Sequence, residues 1–181
     1  CGFKINPPPE SPGYGITGTG GYIHLYDNEI LNKGTGIYLD GGTEPIVRYN
    51  QVYDCLNDGI MINNTADNMR VSGNTVMQCG RGLYIYSAAT NIQVTGNVFQ
   101  QCTNGVYLDA KVDLFSENDI RACLGYGLQL QNNNADVKIL TGLVEPHFMA
   151  GASGGPKSIC PGLAGQAVTY GFHSAAMLEH P

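Results

Sequence analysis

The sequence predicts an all-β chain wound as a parallel β-helix, with about 23 residues and three short strands in each coil. Three observations carry that prediction. Gly36, Gly59, Gly82, Gly105 and Gly127 recur at spacings of 23, 23, 23 and 22, and a fixed period of this length marks a solenoid. The apolar residues around each of these glycines alternate with polar ones, which is the period of a strand and not of a helix. Gly is frequent, at 25 of 181 residues, while Lys and Arg together number 9, and no long Ala/Leu/Glu/Lys segment occurs. Such a composition suits short strands joined by turns. The length suffices for one domain, and no compositional shift suggests a linker.

Taken in order, the chain opens with CGFKIN, Cys1 to Asn6, which reads like DGIMIN, Asp58 to Asn63. The expectation is therefore an entry midway through a coil, on the strand that follows the Gly, with further coils upstream in a longer or processed chain. NPPPESPGYGITGTGG, Asn6 to Gly21, reads as a long Pro/Gly loop in place of a short turn. Residues 1–20 are thus an incomplete coil and a loop, either a functional rim or a surface insertion. Residues 21–143 are the coils. NEILNKGTGIYLD (from Asn28), NQVYDCLNDGIMIN (from Asn50), NTVMQCGRGLYIY (from Asn74), NVFQQCTNGVYLD (from Asn97) and NDIRACLGYGLQLQ (from Asn118) superimpose with at most one inserted residue.

The three strands of each unit follow from the apolar positions. One precedes the Asn and carries Leu25, Val47, Val71, Val94 or Phe115. A second carries Ile30, Val52, Val76, Phe99 or Ile120, two places after the Asn. The third follows the Gly, with pairs such as Ile37 and Leu39, Leu83 and Ile85, or Val106 and Leu108. Coils of this kind stack about 4.8 Å apart through parallel hydrogen bonding. Residues 144–181 lose the period and are expected to form an irregular cap or a subunit contact, since an open solenoid end exposes strand edges and core.

Stacking turns each position into a column. Asn28, Asn50, Asn74, Asn97 and Asn118 are expected to hydrogen-bond one another along the axis and to cap turn backbone. Cys55, Cys79, Cys102 and Cys123 all lie five residues after an Asn and should form an inward file of small apolar side chains. Disulfides between adjacent coils, or a metal site, are the other readings, although a file offers no tetrahedral convergence. Cys1 and Cys160 stand outside the file. The Gly column supplies a bend that a side chain would obstruct.

These Asn-x-[Ile/Val/Phe]-x-x-Cys…Gly-[Ile/Val/Leu]-x-[Ile/Leu] units resemble the repeats of the pectin-lyase-like superfamily over about residues 21 to 142. That superfamily includes polysaccharide lyases, glycoside hydrolases, alginate epimerases and bacteriophage tailspikes. The resemblance implies a right-handed coil, a polysaccharide or cell-surface glycan as partner, and a location outside the cell or on a virion surface. A tailspike-like member would form a homotrimer. It specifies coil geometry strongly and chemistry weakly, because every branch shares the repeat.

Outward positions are where function can sit. On the strand after the Gly they are Tyr38, Met61, Tyr84, Tyr107 and Gln129, and beside them Asp40, Asn63, Tyr86, Asp109 and Gln131. Flat rings flanked by amides and carboxylates suit a sugar chain, so Tyr38, Asp40, Tyr84, Tyr86, Tyr107 and Asp109 are the expected ligand surface. The same tyrosines could serve only to stabilise the sheet. For catalysis the candidates are Asp109, Arg81 and Tyr86. Asp40 and Asp109 are three coils apart, roughly 14 Å, which is too far for either glycosidase geometry. The piece TYGFH, Thr169 to His173, resembles part of an epimerase signature but lacks its Asp-Pro and lies beyond the coils. His24 reads as a solvated outward residue, and His147 and His180 have no partners in the pattern.

No metal site or cofactor is predicted: no Asp column of the calcium-dependent lyase type occurs. A formal charge of −6 gives no basic stripe for nucleic-acid phosphates, and no apolar run approaches the roughly 20 residues of a membrane span. Three functional readings follow: a segment of a larger polysaccharide-recognising tailspike or adhesin, a lyase, hydrolase or epimerase of the same fold, or a structural spacer.

Overall fold

The computed structural model describes residues 2–6, 12–64, 68–86 and 91–131, together with 146–147 and 151–152. Every regular element among them is a strand. The strands form three parallel sheets, each adding one strand per coil in the order of the coils. The short-strand sheet contains Lys4–Ile5, Glu29–Leu31, Gln51–Tyr53, Thr75–Met77, Val98–Gln100 and Asp119–Arg121. The long-strand sheet contains Tyr14–Thr19, Thr35–Asp40, Asp58–Asn63, Arg81–Tyr86, Asn104–Asp109 and Leu128–Leu130. The third contains Tyr22–Tyr26, Thr43–Arg48, Arg70–Ser72, Ile92–Thr95 and Val112–Ser116. This is the predicted parallel β-helix. The chain divides into two compact units, Cys1–Val137 and Lys138–Pro181. In the second, Pro146–His147 pairs antiparallel with Gly151–Ala152.

Register follows the repeat. Val52, Val76 and Phe99 are successive partners in the short-strand sheet, and Ile60, Leu83 and Val106 in the long-strand sheet. All six are fully buried, as are Val47, Val71 and Val94 from the third sheet. The interior is filled by apolar side chains at the same positions in every coil, two from each long strand, such as Ile60 and Ile62, and one from strands such as those of Val52 and Val71. The Gly column is steric in origin: a Cβ on Gly59 would lie 2.2 Å from Val76 Cγ1 and 2.9 Å from the carbonyl oxygen of Gly82. Two further bends per coil are left-handed. One is the residue before each Asn, as at Asp27, Tyr49 and Glu117, and the other lies four after it, as at Asn32, Asp54, Gln78 and Gln101, all with φ between 54° and 58°.

The first coil differs from the sequence reading. Lys4–Ile5 pairs with Glu29–Leu31, so the CGFKIN stretch lies on the short-strand sheet and not on the strand after the Gly. Tyr14–Thr19, expected within a loop, is the first strand of the long-strand sheet, with Ile16 opposite Ile37 and Thr19 opposite Asp40. The motif is a coil strand whose Gly18 stands opposite Leu39, which removes the apolar alternation that would have revealed it.

The Asn column is a continuous ladder, buried from Asn28 to Asn97 and half-buried at Asn118. Each Nδ2 donates to the next Oδ1, from Asn28 to Asn50 at 2.7 Å, Asn50 to Asn74 at 3.0 Å, Asn74 to Asn97 at 2.9 Å and Asn97 to Asn118 at 2.9 Å. The same Oδ1 atoms accept the backbone N–H of the preceding coil's Asn, and the same amides donate back to carbonyls such as Leu25, Val47 and Val71. Phe3 occupies the column in the first coil, and its N–H donates to Asn28 Oδ1 at 3.0 Å. The cysteine file is also present, as free thiols. Cys55, Cys79 and Cys102 are buried and Cys123 is partly exposed. Cys79 donates to the Met77 carbonyl at 3.3 Å, and contact with the Cys102 and Cys55 sulfurs, together with burial, holds its thiol above the ordinary range. These side chains pack rather than crosslink. Among the described residues no three His, Cys, Asp or Glu are placed to hold a metal ion.

Asn74→Ala should therefore cost about 3 kcal/mol or more in urea unfolding. It strands the Asn50 amide groups and the Val47 carbonyl inside the stack, each worth about 1–3 kcal/mol when unsatisfied. An unchanged midpoint would mean that the ladder does not hold the coils together.

Candidate functional site

The long-strand sheet carries three outward columns. Nearest the bend are the residues that precede each Gly: Tyr14, Thr35, Asp58, Arg81, Asn104 and Tyr126. Next come Thr17, Tyr38, Met61, Tyr84, Tyr107 and Gln129, which are register partners throughout. The third holds Thr19, Asp40, Asn63, Tyr86 and Asp109. Along the first column runs a groove of about 610 Å³ whose lining extends from Tyr14 and Thr35, through Asp58, Met61 and Arg81, to Asn104 and Tyr126.

At its centre Arg81 meets Asp58 from the coil before. Nε donates to Oδ1 at 2.5 Å and Nη2 to Oδ2 at 3.1 Å, a side-on bidentate pair. The Asp58 side chain is 3% exposed and that of Arg81 33%, so the pair reaches from the interior to the groove. Burial opposes the charge on Arg81, but the hydrogen bond and charge of Asp58 outweigh it and raise the guanidinium above its ordinary value. The guanidinium carbon also lies 4.0 Å from the centroid of the Tyr84 ring, a cation–π contact. Burial pushes the Tyr84 hydroxyl up, so it keeps its proton at neutral pH and can donate.

Aromatic rings flank the pair. On one side Tyr14 and Tyr38 stack at 4.6 Å between centroids, with 18° between planes. On the other Tyr84 and Tyr107 meet edge to face at 5.1 Å, and Tyr107 lies 6.4 Å from Tyr126. The Tyr107 hydroxyl donates to Gln131 Oε1.

Of the residues singled out from sequence, Tyr38, Tyr84 and Tyr107 share one column, with Met61 between the first two. Tyr86 and Asp109 are direct partners. Asp40 accepts from Asn64 Nδ2 at 3.2 Å, and it lies three register steps from Asp109, with Asn63 and Tyr86 between them. Arg81 opens the strand that Tyr86 closes, and its hydrogen bonds go to Asp58. Asp58, Tyr14, Asn104 and Tyr126 were missed, because the sequence reading began each strand after the Gly. Two consecutive residues, the Gly and the one after it, face inward at the bend, so strand alternation does not carry across it. The signal available was the 23-residue spacing of Asp58 and Arg81. His24 lies edge-on to Tyr26 at 6.1 Å in the third sheet. The side chains of Cys1, His147, Cys160 and His180, and the TYGFH piece, lie outside the described residues.

The sequence profile of the right-handed β-helix region matches residues 6–120. The chain belongs to that family. Membership makes the coil right-handed and leaves the chemistry of the groove to its own residues. Beyond the β-helix match, the profile of the lactate racemase N-terminal domain matches residues 128–181. Lactate racemase from Thermoanaerobacterium thermosaccharolyticum is 43% identical over 47 residues, which is 26% of this chain and 11% of that enzyme. No solved structure matches.

Removing Arg81 alone leaves a buried carboxylate without its counter-charge, so Arg81→Met should destabilise the coils by about 3 kcal/mol or more. Adding Asp58→Asn should recover most of that loss. A double-mutant cycle by urea unfolding checks it, and simple additivity would mean that the pair is not coupled.

Proposed function

We propose that the coils are the recognition segment of a larger polysaccharide-binding protein of the pectin-lyase-like superfamily, most like a phage tailspike or surface adhesin. Such a protein acts outside the cell or on a virion surface, and the tailspike type assembles as a homotrimer. The groove carries this reading: tyrosines stand on both sides of a fixed Asp58–Arg81 pair. A pyranose ring has apolar C–H faces and a rim of hydroxyls, and this arrangement offers rings to the first and paired donors to the second.

A lyase, hydrolase or epimerase is the alternative. It needs a carboxylate or base free to exchange a proton, whereas Asp58 is committed to Arg81, and Asp40 and Asp109 are spaced too widely for paired action. Asp109 with Tyr86 remains the pair to test for activity. A structural spacer is the third reading.

For residues 138–181 we infer a module distinct from the repeat. The Gly column ends at Gly127, the compact units divide after Val137, and the likeness to the lactate racemase N-terminal domain begins at residue 128.

Replacing Tyr84 and Tyr107 together by Ala should weaken glycan binding about tenfold, from stacking losses on the order of 1 kcal/mol per ring. Titration calorimetry against the best ligand from a glycan array measures this. A lower melting temperature with unchanged affinity would instead make the rings scaffold. Truncation after Val137 should leave the unfolding midpoint of the coils unchanged; a large drop would restore the cap.

A further inference from the structure

The carbohydrate reading leaves the charge class of the glycan open, and the groove has features that decide it. Among the described residues lining it, Arg81 is the only cation and Asp58 the only anion, and they are bonded to each other through two hydrogen bonds. The three outward columns of the sheet add the Asp40 carboxylate and no Lys or Arg, so no second cation stands on this face to meet an anionic chain. A polyanion approaching this face meets a negative surface whose one positive group is already neutralised. Arg81 cannot turn to a ligand carboxylate without leaving the Asp58 side chain, 3% exposed, as a buried charge with no partner.

What Arg81 retains is its outer edge. Nε and Nη2 are engaged by Asp58, Nη1 makes no hydrogen bond among the described residues, and the side chain is 33% exposed. The Tyr84 ring under the guanidinium fixes its plane, and the Tyr84 hydroxyl stays protonated as a second donor. Both are donors that hydroxyl oxygens can accept from.

We propose that the groove selects an uncharged glycan chain over an anionic one, with Arg81, clamped by Asp58, donating to ring hydroxyls instead of pairing with a sugar carboxylate. This rests on the carbohydrate reading, and it makes Asp58 the residue that sets charge preference. Freeing Arg81 from its carboxylate would turn the same groove toward acidic sugars.

The test uses the full chain and a panel of neutral polysaccharides, galactan, mannan and glucan, with polygalacturonate and alginate each beside its carboxyl-reduced form. At least one neutral or carboxyl-reduced polymer should bind, with any acidic form at least tenfold weaker than its reduced counterpart. Affinity should change less than about twofold between roughly 50 and 500 mM NaCl, both effects being on the order expected for a ligand without ion pairing. Asp58→Asn should shift the acidic-to-reduced preference toward the acid by about tenfold. Tighter binding of an acidic form by the unaltered chain, or a steep salt dependence, overturns the proposal while leaving carbohydrate recognition intact. Failure of every polymer to bind overturns both. If Asp58→Asn does not fold, the comparison of acidic and reduced polymers by the unaltered chain decides alone.

Discussion

Everything in the coil unit depends on in-register stacking of equivalent residues, and the buried Asn ladder is where that constraint is strongest. Asn50, Asn74 and Asn97 each have Oδ1 occupied by two donors from the preceding coil and Nδ2 by acceptors in both directions. A one-residue slip would remove all of these bonds at once and leave amides buried in an apolar interior. Apolar packing alone is less exacting, since a valine, phenylalanine or isoleucine serves equally in the Val52, Val76, Phe99 and Ile120 column. Hydrophobic burial supplies the drive to coil, and the ladder supplies the register.

Register then determines the surface. Because outward residues repeat at the same strand spacing, whatever one coil presents is placed about 4.8 Å from what the next presents. Tyrosines in one column must stack or meet edge to face, as Tyr84 and Tyr107 do, and an Asp and an Arg in one column must pair. The aromatic contacts are thus consequences of the solenoid before they are features of a site. What makes the face a candidate is the alternation along it: rings, then a salt bridge, then rings, at a spacing set by the backbone and not by flexible loops.

The same logic explains which parts were legible in the sequence. The strands, the Asn and Gly columns and the cysteine file follow from a period of 23 residues that survives in nearly every unit. The first coil was misread because Gly18 and two threonines replace the apolar–aromatic alternation, and Lys4–Ile5 is too short to show any period. In the site, the outward tyrosines were visible because they sit on the regular part of the strand. The Asp58–Arg81 pair was not, because it lies at the bend, where the glycine and its successor both point inward and the alternation loses its phase.

That bend is also why the pair is strong enough to matter. A residue just before the Gly is sheltered by the turn of its own coil and by the coils on either side, so its environment is neither core nor open surface. Asp58 and Thr35 are buried there, while Arg81 reaches outward from the neighbouring coil. An ion pair at an exposed strand position contributes little, because water screens it and the side chains must be ordered to form it. Here the carboxylate is already fixed by burial, so the ordering falls only on Arg81, whose plane the Tyr84 ring also holds. The outcome is a donor edge preset in direction before any ligand arrives, and a column that can change its residues without disturbing the apolar interior. In a fold where core and ladder leave little freedom, the position before the glycine is where recognition can vary.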